Sequence, residues 1–112
     1  MEIVRNNIIP FKGYKCVNLF GILFVRDDAV IGSVDINHES IHTAQMKEML
    51  YVFFYLWYGI EWLVRLIQHR NAHTAYRNIS FEREAYMNQG NMGYLQGRGR
   101  YAWVKYLKGG AE

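Results

Sequence analysis

The sequence predicts a small α+β domain, two or three short antiparallel strands followed by three or four helices. Three observations carry that expectation. The stretch up to about residue 34 is rich in β-branched and aromatic residues and is punctuated by turn pairs such as Lys12-Gly13 and Asp27-Asp28. Residues 49–67 form an apolar run too long for a strand. Between them, His38 and His42 stand four apart, the spacing of one helix face. With 112 residues the chain has the length of a single domain, 1–112, and its 51% hydrophobic content suffices for a core and excludes disorder.

Ile3 to Ile9 reads as a short strand or extended arm, closed by Pro10. Tyr14 to Arg26 reads as strand, with Gly21 as a bulge. Ala29-Val30-Ile31 opens another short strand. This region is expected to be scaffold.

Asp35 or Asn37 then offers a helix N-cap, and the helices are expected over about 36–108. In residues 49–67 the unbroken apolar run is short of the roughly 20 residues that span a bilayer. Glu61 interrupts it and pairs with Arg65 at the favourable i, i+4 spacing. The expectation is a mostly buried central helix, in the single chain or in a homodimer. Its tyrosines and tryptophans keep membrane contact through this stretch as the alternative.

Gln68 to Arg77 reads as a polar loop in which His69 and His73 are solvated. Ser80 is a candidate N-cap for a helix from Phe81, and Gly90 with its flanking asparagines breaks or kinks that helix. A final segment is expected to be helical from about Tyr101, and 109–112 reads as a frayed end.

Composition narrows the function classes. Net charge is +3, too mild to imply a nucleic-acid partner. Arg98, Arg100, Lys105 and Lys108 do interleave with Tyr94, Tyr101, Trp103 and Tyr106, but an ordinary helix with aromatics inward and cations outward accounts for them. The single Cys16 excludes an internal disulfide framework, and its apolar surroundings suit a buried structural thiol. No basic segment followed by an apolar one opens the chain, so the expected location is cytoplasmic, with membrane association through 49–67 as the variant.

The chemistry concentrates in His38-Glu39-Ser40-Ile41-His42, a His-Glu-x-x-His pattern. Two imidazoles stacked on one helix face can bind one Zn²⁺. Glu39 lies about 100° round the helix, beside the metal, where it can take a proton from water rather than ligate. A catalytic zinc needs a third protein ligand. Glu82 and Glu84 are the candidates, and being two apart they cannot both face one metal. Either could instead be a first-turn acid that stabilises its helix N-terminus.

His38-Glu39-Ser40-Ile41-His42 followed by Phe81-Glu82-Arg83-Glu84-Ala85-Tyr86 resembles the gluzincin clan of metallopeptidases. More narrowly it is similar to the minigluzincins, single-domain proteins like the catalytic domains of integral-membrane metallopeptidases. The resemblance covers about residues 37–86. It implies a zincin-like fold, a Zn²⁺ cofactor, a peptide or protein substrate, and Glu82 as the third ligand, opening a Glu-x-x-Ala pattern. One position departs. Tyr86 stands where the family usually has an aspartate that supports a metal-binding histidine, and Tyr86 could instead serve catalysis as an oxyanion donor. The leading expectation is therefore a zinc peptidase with ligands His38, His42 and Glu82, general base Glu39, and a substrate lying extended along the sheet edge. The alternative is a non-proteolytic or latent module of the same shape, with a structural metal or none.

Overall fold

A computed structural model describes residues 2–10 and 12–107. The fold is α+β, as expected. Three strands come first, β1 (Glu2–Asn6), β2 (Cys16–Leu19) and β3 (Ile22–Arg26). Five helices follow: α1 (Ser33–Glu48), α2 (Val52–His69), α3 (Ala72–Arg77), α4 (Ser80–Asn88) and α5 (Tyr94–Gly97). A 3₁₀ helix over Ala102–Tyr106 closes the described chain, while 109–112 lies outside the described residues.

The sheet is mixed, not antiparallel throughout. Its order is β1-β3-β2, so β3 is central. β2 pairs with β3 antiparallel, with Leu19 opposite Ile22, whereas β1 pairs parallel, with Val4 opposite Phe24. Side-chain alternation reveals that a strand exists but not which neighbour it takes, and that choice sets the direction. Gly21 is not a bulge. It forms with Phe20 a two-residue hairpin turn in which both residues have positive φ, 54° and 90°. The Phe20 backbone is held in that unusual conformation because its N–H donates to the Tyr55 hydroxyl at 3.0 Å.

Ala29-Val30-Ile31 is not a strand. Asp27 N–H bonds back to Asn6 C=O and Ala29 N–H to Arg26 C=O, so the chain turns away from the sheet there. α1 begins earlier than expected, at Ser33. Asp35 is its third residue and accepts from the Gly32 N–H at 3.0 Å, which satisfies a donor just ahead of the helix. Asn37 is buried one turn in and donates to the carbonyls of Asn88, Gln89 and Asn91. Those lie at the end of α4, where carbonyls lack helical partners.

The chain then reverses over Leu50 and Tyr51, both at positive φ, and α2 leaves α1 at 110°. The core lies where α1, α2, α4 and the 3₁₀ helix meet, around Met46, Phe54, Ile79, Phe81 and Trp103. Phe81 stacks on Phe54 at 4.5 Å between centroids and lies 4.7 Å from Trp103.

Two further expectations are corrected. Residues 68–77 are not a loop, because α2 continues to His69 and α3 starts after Asn71, whose side chain accepts from the Thr74 N–H. Within the single chain, α2 is also not mostly buried. Its inward face carries Phe54, Glu61 and Arg65, while Phe53, Leu56, Ile60, Leu63 and Ile67 are all more than half exposed. The helix is two-sided in the reverse of the usual sense: a Glu61–Arg65 pair lies inward beside Phe54, and the more apolar face, among the described residues, is left uncovered. Among the described residues no helix is long and apolar enough to cross a membrane.

Candidate metal centre

The inward stripe of α1 runs Asn37, His38, Ile41, His42, Gln45, Met46. Its spacing is that of an ordinary core face, but four of the six residues are polar. Burying polar groups is costly unless each finds a partner, so such a stripe requires partners on the element packed against it.

The partners come from α4. His42 Nε2 lies 3.0 Å from Glu82 Oε1 and 3.2 Å from His38 Nε2, and His38 Nε2 lies 3.3 Å from the same carboxylate oxygen. All three side chains are buried. A tetrahedral zinc with bonds of about 2.0–2.1 Å sets neighbouring ligand atoms about 3.3 Å apart. His38, His42 and Glu82 are the one cluster of potential ligands among the described residues that could hold a metal ion.

The tautomer of His42 follows from hydrogen-bond logic. Gln45 directs its Nε2 at two acceptors, the Phe81 carbonyl (3.0 Å) and Glu84 Oε1 (2.9 Å). Its Oε1 therefore faces His42 Nδ1 at 2.8 Å and must accept, so the imidazole proton sits on Nδ1. That leaves Nε2 facing the cluster, the nitrogen a ligating histidine offers once it carries no proton there. His38 makes a similar contact, Nδ1 to Gln89 Oε1 at 2.8 Å. Tyr58 of α2 donates to the other Glu82 oxygen at 2.8 Å.

Electrostatics agrees with a cation-binding cluster. Burial disfavours charge on His42, but the Glu82 carboxylate outweighs burial and raises the imidazole pKa. Burial likewise opposes charge on Glu82, yet His42 and His38 hold its pKa well below the usual carboxylate range. A bound metal would take the place of the proton that this attraction retains.

Glu84, the other candidate, lies outside the cluster. It is fully buried and bonded to Gln45, Tyr94 and Arg98. Arg98 also forks onto Glu48 at 2.9 and 3.0 Å. This cation therefore points inward into structure, contrary to the outward placement expected of the C-terminal basic residues.

A cleft of about 800 Å³ opens beside the cluster. Glu39, His42 and Glu82 line it with β2 residues 16–19, Phe54, Tyr55 and Tyr58 of α2, and His73 and Tyr76 of α3. β2 is an edge strand, tied to α1 by Asn18, which donates to the Glu39 carbonyl and the Thr43 hydroxyl at 2.9 Å each. Burial raises the Glu39 pKa against the lowering effect of His42 and His38, toward the range useful to a general base. Cys16 also lines the cleft, but burial, then Glu39, push its thiol up to about 11, so it is no ready nucleophile.

Tyr86 sets its ring edge-on against His38, 4.5 Å between centroids, and its hydroxyl lies 2.9 Å from that of Tyr76. The sequence reading missed Tyr76, Tyr58, Gln45 and Gln89. Asn71 as a cap would have revealed the helix that carries Tyr76. The two glutamines carry no motif, and only the fold brings them to the histidines. His73 faces the cleft, and neither His69 nor His73 belongs to a group of three potential ligands among the described residues.

No family model matches this chain, and no match is found among curated proteins or solved structures.

Proposed function

We propose that the protein is a zinc-dependent peptidase of the gluzincin type. The observation that supports it best is the convergence of His38, His42 and Glu82, with ligand atoms 3.0–3.3 Å apart, at a cleft that Glu39 also lines. A zinc ion held there would supply Lewis acidity. Glu39 takes a proton from the attacking water and returns it to the leaving amine. The Tyr76 hydroxyl stays protonated, because burial and then the nearby Glu82 charge raise its pKa, so it can donate to the oxyanion that develops on the carbonyl. Tyr86 orients that hydroxyl from behind. The substrate backbone adds to the free edge of β2, and the apolar wall of Val17, Leu19, Met46 and Phe54 favours an apolar side chain next to the cleaved bond.

The test pairs metal content with turnover of a broad peptide library. Wild type should bind about one zinc and cleave. Glu39→Gln should keep the metal and lose at least about 10²-fold in rate, and His42→Ala should lose both. Equal cleavage by zinc-loaded wild type and Glu39→Gln would remove the motif from catalysis. Zinc binding with no cleavage at all would leave a non-proteolytic metal module as the better reading.

A further inference from the structure

The exposed side of α2 has no role in the metal centre, and its pattern is specific. Phe53, Leu56, Ile60, Leu63 and Ile67 follow one another at spacings of three, four, three and four, and every one is more than half exposed. That is the a/d seam of a coiled coil. The a positions hold Phe53, Ile60 and Ile67 and the d positions hold Leu56 and Leu63; at the two a positions that are β-branched, Ile60 and Ile67, this combination with leucine at d favours two strands.

Gly59 is a second, independent observation. It sits near the middle of α2, where glycine costs about 1 kcal/mol relative to alanine. A Cβ built there meets no atom of the described residues within 4 Å, so no contact among them requires glycine. Glycine on an apolar helix face allows a second backbone to approach closely.

We propose that this face is a homodimer seam, in which α2 helices of two copies cross near Gly59. The inference is independent of the chemistry assigned to the metal centre. Its area is adequate. A large aromatic side chain carries about 150–250 Å² and an aliphatic one somewhat less, so at roughly half exposure Phe53, Leu56, Ile60, Leu63 and Ile67 offer several hundred Å², and Leu50, Val52, Trp57 and Val64 extend the stripe. Together they reach the scale of the roughly 800 Å² per partner of a standard interface.

A lipid surface fits less well. Helices that lie on membranes carry several cations on their polar face, whereas the side of α2 opposite the stripe is packed into the protein around Phe54, Glu61 and Arg65. The indole N–H of Trp57 is turned inward onto Glu61 at 3.1 Å instead of outward to headgroups.

The experiment is sedimentation velocity of the full chain from 1 to 100 µM, together with co-sedimentation on vesicles of phosphatidylcholine with and without phosphatidylglycerol. Wild type should be a dimer, Ile60→Glu with Leu63→Glu should be a monomer with unchanged circular dichroism, and Gly59→Leu should weaken association at least about tenfold while the monomer stays folded. Should the charged variant fail to fold, Ile60→Cys in a Cys16→Ser background keeps the test open, because it should form an intermolecular disulfide on oxidation. A monomeric wild type at 100 µM overturns the proposal. So does a mass unaffected by both seam variants, or a protein that needs detergent and pellets with vesicles.

Discussion

Glu61 accepts from both the backbone N–H and the hydroxyl of Ser80, at 2.7 and 2.6 Å, and so caps the helix that carries Glu82 from a different helix. The carboxylate is buried and is also contacted by Arg65 at 3.4 Å and by the Trp57 indole. An acid that interrupts an apolar run thus has a defined place. It satisfies two donors at the start of α4, where helix geometry leaves N–H groups without partners.

Removing Glu61 should therefore be costly. Glu61→Ala leaves Arg65 and the Ser80 donors buried without it, a loss of about 3–5 kcal/mol by analogy with broken buried pairs. Urea unfolding measures this directly. Metal affinity should fall as well, because Glu82 lies in the first turn that Glu61 holds. An unfolding midpoint within error of wild type would refute the capping role.

Gln45 should matter for metal binding without touching the metal. Gln45→Leu preserves bulk but removes the acceptor that holds the His42 proton on Nδ1. The expected result is about 10–100-fold weaker zinc binding, as for other lost partners of ligating histidines, read by chelator competition. Unaltered affinity would mean that the tautomer is set elsewhere.

Tyr76→Phe tests the oxyanion assignment. It should reduce kcat by about 10²–10³ while KM and zinc content stay near wild type. Tyr86→Phe, acting only through Tyr76, should cost less. A larger loss from Tyr86→Phe than from Tyr76→Phe would exchange their roles.

Acid stability should depend on Glu84. Burial works to raise its pKa, but hydrogen bonds from Arg98, Tyr94 and Gln45 prevail and hold it below the usual carboxylate range. The unfolded chain then binds the proton more readily than the folded one. The stabilisation is present above the unfolded carboxylate value of about 4.3 and is lost as pH falls through the lower folded value. Glu84→Gln should be less stable at pH 7 and lose less stability between pH 5 and pH 2. Parallel stability–pH curves for the two proteins would exclude this contribution.

Much of the candidate site was legible in the sequence because its central constraint is local. Four residues make about one helical turn, so His38 and His42 must share a face wherever α1 lies. Gly21 and Phe20 show the opposite case. A glycine in an apolar stretch signals an unusual backbone, but bulge and hairpin turn require the same residue, and strand pairing alone distinguishes them. Val30 and Ile31 have strand-forming side chains, yet the hydrogen bonds of Asp27 and Ala29 take the chain off the sheet before they can pair.

By itself, then, the sequence determined the α+β class, the histidine face of α1 and the chain's high apolar content, because these depend on composition and on spacings within one turn. The resemblance already favours Glu82 over Glu84, and the structure brings Glu82 to the histidines; only the tertiary structure decided that Gln45 sets the tautomer of His42, that Tyr76 faces the cleft, and that the apolar side of α2 lies outward. Each of these depends on how two elements far apart in sequence pack together. Helical periodicity specifies the angle of a side chain around its own axis and carries no information about which neighbour lies in that direction.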